Sequence, residues 1–293
     1  MASDGVVREY PDDTWTAGGP TQGVEAVVEG GHVLAFPHLP FALGDDERRF
    51  LDPRWADRKA KNVSVRWPAG ELRGAVGTAE DLAALRRMIV RYTEQSEAFV
   101  LRLFPHYHGR LRRGNTSFRP LDVTGPPRSW RQDDTRLHVD AFPSNPMQGT
   151  RLLRVFCNVH PGGRPRLWRV GEPFEAHAQR YLGSIGRPLP GSAWLLAALG
   201  ITKRRRTGYD HLMLQLHDRA KADPAFQRES PQQAVAFAPG TTWVCFSDQV
   251  LHAAMGGQHM MEQTFYLAPG DLAHPASAPL AILERLTGRP LLV

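Results

Sequence analysis

The chain has 293 residues and a formal net charge of +6, which asks for an acidic partner: nucleic acid, an anionic membrane surface or an acidic small molecule. Hydrophobic residues at 42% and charged residues at 23% are ordinary for a globular protein and exclude disordered and fibrous classes. With only Cys157 and Cys245, neither a disulfide scaffold nor a cysteine-based zinc site is available, which fits a reducing, cytoplasmic compartment.

MASDGVVREYPDDTW carries no basic start followed by an apolar run, and no stretch approaches the roughly 18–20 apolar residues of a membrane span. Residues 1–30 are polar and Gly-rich and are expected to be loosely ordered; residues 31–293 read as a single domain. The mixture of short apolar runs, Pro and Asp from Gly31 to Pro68 predicts loops and edge strands. Thr78 then opens the clearest helix. It forms a capping box with Asp81, and Leu82, Leu85, Met88, Ile89, Tyr92, Phe99 and Leu103 keep helical spacing until the chain meets Pro105. Residues 106–136 are rich in arginine.

Two strand-like segments follow, RLHVDAF (136–142) and RLLRVFCNVH (151–160), separated by the turn-rich PSNPMQG. Helical character returns in EPFEAHAQRYL, in SAWLLAALG and, after the basic run Lys203-Arg204-Arg205-Arg206, in GYDHLMLQLHDRAKAD. TTWVCFSD (241–248) and HMMEQTFYLAP (259–269) are late strands, and LAILERLTGRP predicts a last helix. An early helix, central strands, inserted helices and returning strands predict an α+β arrangement around a β-sandwich or barrel. Glycine and proline, 27 and 24 residues, suit such a loop-rich fold better than a helical bundle.

Within this pattern, His138-Val139-Asp140 sits in an extended segment, where residues i and i+2 share a face, so imidazole and carboxylate converge on one ion. His252, just after a late strand, is the best third ligand. Two histidines and one carboxylate make the facial triad of non-haem Fe(II) oxygenases, with positions left open for substrate and O2. Such an enzyme that uses 2-oxoglutarate also needs a cation for the co-substrate's distal carboxylate. Arg154, Phe156 and Asn158 alternate onto one face of RLLRVFCNVH, and Arg154 lies among apolar neighbours that call for a buried acidic partner. His106, His108, His211 and His217 read as loop, packing or surface groups, and Cys157 and Cys245 as buried strand residues.

Four blocks carry a family resemblance: RLHVDAFPSNPMQGTRLLRVFCNVHP, WRVGEPFE (168–175), GYDHLMLQLHD (208–218) and TTWVCFSDQVLHAAMGGQHMMEQTFYL (241–267). Over residues 31 to the end, the chain resembles the bacterial hydroxylases of 3-deoxy-D-manno-oct-2-ulosonic acid (Kdo), a lipopolysaccharide sugar. The resemblance implies a double-stranded β-helix (jelly-roll) core with flanking and inserted helices. It also implies a dioxygenase that hydroxylates C3 of Kdo on Kdo-lipid A to give Ko, with succinate and CO2, using Fe(II), 2-oxoglutarate and O2. His138, Asp140 and His252 would be the iron ligands. Many 2-oxoglutarate oxygenases carry an arginine about ten residues after the distal histidine; here that position is Glu262, and the next arginine is Arg285. The co-substrate cation must then come from elsewhere. Arg154 is the expected anchor, with Asn158, Thr264 and Tyr266 as polar helpers. Arg119, Arg128, Arg131 and Arg136 are candidates to meet the acidic sugar and its phosphorylated carrier. The expected setting is the cytoplasm, and SAWLLAALGITKRRR reads equally as an interfacial element that meets the inner membrane or as a core helix followed by a charged turn. Two alternatives are an iron enzyme acting on another acidic sugar or lipid headgroup, and a basic module that binds glycan or nucleic acid without catalysis. No zinc-finger, RNP-like or helix-turn-helix pattern supports nucleic acid.

Overall fold

The computed structural model describes residues 5–19, 21–57, 59–60, 62–122 and 129–292. The strands are β1 (Val7–Glu9), β2 (Val33–Phe36), β3 (Val63–Arg66), β4 (Glu71–Arg73), β5 (Arg112–Arg119), β6 (Arg151–Asn158), β7 (Arg166–Gly171), β8 (Gln232–Phe237), β9 (Thr242–Phe246), β10 (His252–Gly256) and β11 (Met260–Leu267). The helices are α1 (Val24–Glu29), α2 (Ala79–Leu103), α3 (Phe174–Leu182), α4 (Ser192–Ala198), α5 (Gly208–Ala222), α6 (Pro224–Glu229) and α7 (Pro279–Thr287). Eight strands form one sheet in the order β1-β2-β9-β6-β11-β5-β3-β4, antiparallel except for β1 against β2. Three more form a second antiparallel sheet, β10-β7-β8. This is the α+β, jelly-roll type of core.

Pairing explains why β5, β6 and β11 are central. Thr264 lies opposite Arg154, Glu262 opposite Phe156 and Ser117 opposite Glu262, so alternate residues of three strands share the face turned toward the second sheet. The intervening residues Leu153, Val155 and Phe265 face the other way into a core closed by α2. That helix begins at the Thr78–Asp81 capping box, and Leu85, Met88, Ile89, Tyr92, Phe99 and Leu103 are buried. The Tyr92 hydroxyl donates to the Val155 carbonyl at 3.1 Å, tying α2 to β6.

Two sequence expectations need correction. Among the described residues of the first 30, several are built into the fold rather than loosely ordered. Val7 enters β1, and Val24 and Val28 of α1 are fully buried in the main core. Glu29 is also buried and accepts hydrogen bonds from the Tyr107 hydroxyl at 2.6 Å and from the backbone N–H groups of Ala273 (3.0 Å) and His274 (2.5 Å). It joins the two ends of the chain. Glu29→Ala strands those donors at about 1–3 kcal/mol each, and the expected result in a denaturant titration is a loss of about 3 kcal/mol, with Glu29→Gln losing less. Second, residues 136–142 are not a regular strand. The segment is extended, with one isolated bridge between His138 and His252.

Candidate metal centre and its cavity

The extended segment is held from three sides. His138 N–H donates to the His252 carbonyl at 3.1 Å and His252 N–H returns the bond at 2.9 Å. Asp140 N–H donates to the Ser247 carbonyl, just beyond β9, at 2.9 Å. From α6, Gln227 clamps the backbone just before His138, accepting from Leu137 N–H at 2.8 Å and donating to the Leu137 carbonyl at 3.0 Å. Both sheets thereby deliver side chains to one point. Ligand atoms of His138, Asp140 and His252 lie within 4.8 Å of one another, the one such group of three or more His, Cys, Asp or Glu among the described residues.

The donor chemistry fits a divalent transition metal. His138 Nδ1 lies 2.7 Å from the Arg136 carbonyl and His252 Nδ1 2.9 Å from the Val250 carbonyl. Each Nδ1–H is thus satisfied, and each Nε2 keeps a lone pair for an ion. Burial disfavours protonation of both imidazoles, and for His138 the neighbouring His252 adds to this. Burial also opposes ionisation of Asp140, but the Arg154 guanidinium, helped by a Ser247 hydrogen bond, outweighs it and holds the carboxyl well below the usual range. Two neutral imidazoles and a carboxylate suit Fe(II). Trp168 of β7 stacks on His252 with centroids 5.2 Å apart, and His217 of α5 meets His138 edge-on at 5.3 Å.

The cluster opens into a cavity of about 1170 Å³ between the two sheets. Arg154 lies in its wall, with Nη2 3.0 Å from Asp140 and Nη1 2.9 Å from Glu262. The buried acid expected beside this guanidinium is thus two protein carboxylates. Glu262, also reached by Arg119 at 2.8 Å, keeps its charge because Arg119 and Arg154 override burial. Thr264 and Tyr266 also line the cavity, and Arg112 lies over the Tyr266 ring at 4.9 Å.

Asn158 does not line it. Although it falls on the same strand alternation as Arg154, its amide donates to the Arg164 and Phe237 carbonyls and its oxygen accepts from His160 N–H, clamping the end of β6. Among the arginines, Arg119 and Arg131 line the cavity; Arg131 pairs with Asp218 at 3.2 Å and stacks on Trp130. Arg136 does not: it pairs with Asp133 at 3.2 Å and donates to the Lys221 carbonyl at 2.7 Å. Arg128 lies outside the described residues.

Sequence reasoning passed over His217, Lys221, Trp168 and Arg166, all of which line the cavity. His217 and Lys221, four apart on α5, share a helix face, a signal present in the sequence but not used. Arg166 is buried, donates once, from Nη1 to the Gly257 carbonyl at 2.6 Å, and has no ion pair among the described residues. Burial, with Arg119 nearby, lowers its pKa to about 10.

A family model for 3-deoxy-D-manno-oct-2-ulosonic acid (Kdo) hydroxylase matches residues 13–290. Three structures of KdoO, a Kdo hydroxylase and non-haem Fe(II) alphaketoglutarate-dependent dioxygenase, share the fold at 44% identity. Its cobalt(II) complex superposes with a TM-score of 0.94 over 98% of each chain. Its complex with alphaketoglutarate and Fe(III) gives 0.92 over 97% of each, and the apo form gives 0.93 over 98% of this chain and 97% of the other. No curated protein matches the chain. A cavity walled by two sheets, two neutral imidazoles and a carboxylate at one point, and a family match over nearly the whole length place this chain in the Kdo hydroxylase family.

Proposed function

We propose that the protein is an Fe(II)/2-oxoglutarate-dependent dioxygenase that hydroxylates C3 of Kdo in Kdo-lipid A, giving Ko. The observation that carries this is the convergence of His138, Asp140 and His252 on one point beside a large cationic cavity. Iron(II) held there by these three residues supplies the oxygen chemistry that couples decarboxylation of 2-oxoglutarate, to succinate and CO2, with hydroxylation of the sugar. The chain's own part is positional. The Arg136 and Val250 carbonyls fix the imidazole tautomers, and Arg154 orients Asp140 through its second oxygen.

Arg154 already engages two carboxylates, so a third would have to compete with them. Arg166 is the better anchor for the distal carboxylate of 2-oxoglutarate: a buried guanidinium with a single neutral partner is costly unless an anion joins it. It lies on the same strand as Trp168, two residues along, and Trp168 covers His252. Thr264 and Tyr266 add hydroxyls to the same cavity. Arg119, Arg131 and the exposed Arg112 and Lys203 give it the positive lining that an acidic, phosphorylated substrate requires.

The test is direct. Purified protein with Fe(II), 2-oxoglutarate and Kdo-lipid A is expected to make succinate and a product heavier by one oxygen atom on a Kdo unit. Succinate with no oxygen added to Kdo points to another acidic sugar, and no succinate at all refutes the enzyme. Arg166→Met is expected to raise the KM for 2-oxoglutarate by about 10–100-fold, the loss of a charge-assisted hydrogen-bond pair, with a much smaller change in kcat. An unchanged KM in steady-state kinetics assigns the carboxylate to another residue.

A further inference from the structure

Eight large hydrophobic side chains are exposed among the described residues, and five of them fall between 189 and 201: Leu189, Trp194, Leu195, Leu199 and Ile201. Leu189 is 79% and Trp194 67% exposed. Helix α4, at the centre of this stretch, has no buried residue. Lone exposed leucines are ordinary, but a contiguous group that includes a tryptophan marks a contact surface.

The chain turns directly from this apolar tip into Lys203, Arg204, Arg205 and Arg206. The first three are exposed, and none of the four forms an ion pair with a described residue. The same stretch is fastened to the edge of the cavity. Lys203 N–H donates to the Ser144 carbonyl at 2.9 Å, Arg206 to the Pro143 carbonyl, and Gln148 Nε2 to the Arg205 carbonyl at 2.9 Å. Ser144 and Lys203 both line the cavity that holds the metal centre.

We propose that residues 189–206 are a membrane-docking surface. The apolar tip enters the headgroup–acyl boundary, the basic run holds anionic headgroups, and the cavity edge comes to face the same surface. Unpaired cations beside exposed Leu and Trp match an anionic bilayer on both counts. This rests on the reading above in one respect, namely that a lipid-borne sugar has to be met at the membrane. Among the described residues no helix is long and apolar enough to cross a membrane, so the attachment is peripheral and reversible in kind.

The probe is a vesicle without sugar. Full-length protein is pelleted with phosphatidylcholine vesicles, with or without phosphatidylglycerol. Binding is expected to the anionic vesicles, at least about tenfold above the neutral ones and falling with salt. Trp194→Ser with Leu199→Ser is expected to cut partitioning by about tenfold or more. Arg204→Glu with Arg205→Glu is expected to cut it by about 25-fold, roughly fivefold for each charge near the surface. None of these four side chains lines the cavity, so turnover of a water-soluble Kdo disaccharide is expected to match wild type. The proposal is overturned if wild type stays in the supernatant, if both variants pellet as wild type does, or if the apolar tip instead mediates lipid-free self-association in analytical ultracentrifugation. Vesicle binding by a protein that leaves Kdo untouched would sink the functional reading and leave this one standing.

Discussion

A His252→Ala variant is expected to bind cobalt(II) at least about a hundredfold more weakly than wild type and to make no succinate above background. Loss of an outer partner of a metal ligand already costs about 10–100-fold in affinity or activity, and His252 supplies one of three donor atoms. Two donors remain on one extended segment, His138 and Asp140, whose Nε2 and Oδ1 lie 3.9 Å apart. They hold an ion from one side only. The measurement is a cobalt titration followed by visible absorbance, since the similar KdoO has been solved in complex with cobalt(II). Thermal unfolding gives a second readout: cobalt raises the Tm of wild type by mass action and leaves that of the variant unchanged. His217→Ala is the control. Its ring touches His138 edge-on without belonging to the donor group, so tight cobalt binding is expected to survive. If His252→Ala keeps full affinity, the third ligand lies elsewhere.

The His138 and Asp140 pair was readable from sequence because its information is local. His138 and Asp140 need only an extended backbone to share a face, and that holds even though residues 136–142 form one bridge rather than a strand. Helix α2 was readable for the same reason, from a capping box and a sustained 3.6-residue period. The strands that were missed carry no such signal. β5 reads RRGNTSFR, a basic and polar run that becomes a strand by pairing with β11 on one side and β3 on the other. β10 reads HAAMG, without a branched residue, and owes its state to β7. Arg166 reaches the cavity only once the second sheet has packed, so no spacing rule points to it. Asn158 shows the converse: alternation gave its face correctly, but the end of β6 needed its amide for three backbone partners. In Glu262 a carboxylate stands where many 2-oxoglutarate oxygenases place an arginine. It is paired across strands with Arg119 and Arg154, while Arg166, on the opposite sheet, has no ion pair among the described residues.

Arg154→Ala is expected to destabilise the fold by about 3–5 kcal/mol, the cost of removing one partner from a buried charge network. With Arg154 gone, Asp140 and Glu262 are two buried carboxylates in one cavity wall, and only Glu262 keeps an arginine, Arg119. At about 2–4 °C per kcal/mol for a domain near this size, the drop is easily read in a thermal melt. Lysine does not replace it fully, because one ammonium cannot span both acids with a planar fork, so Arg154→Lys is expected to fall between. Two further measurements separate this account from simple loss of packing. Adding Glu262→Gln to Arg154→Ala removes one of the crowded charges and is expected to recover part of the loss. The second is acidification. In wild type both carboxyls are held below their ordinary values, so their pairing with arginine contributes stability above about pH 4 and loses it as pH falls through the lowered values. In the variant, burial raises the same carboxyls, they take up protons at higher pH, and protonation relieves their repulsion. The stability gap between the two proteins should therefore narrow as pH falls. A gap that stays constant with pH, together with no recovery in the double variant, would mean that Arg154 acts by filling space. Metal affinity should follow the charge account as well, falling by about 10–100-fold in Arg154→Ala, because the arginine that balances Glu262 also aims Asp140 at the ion.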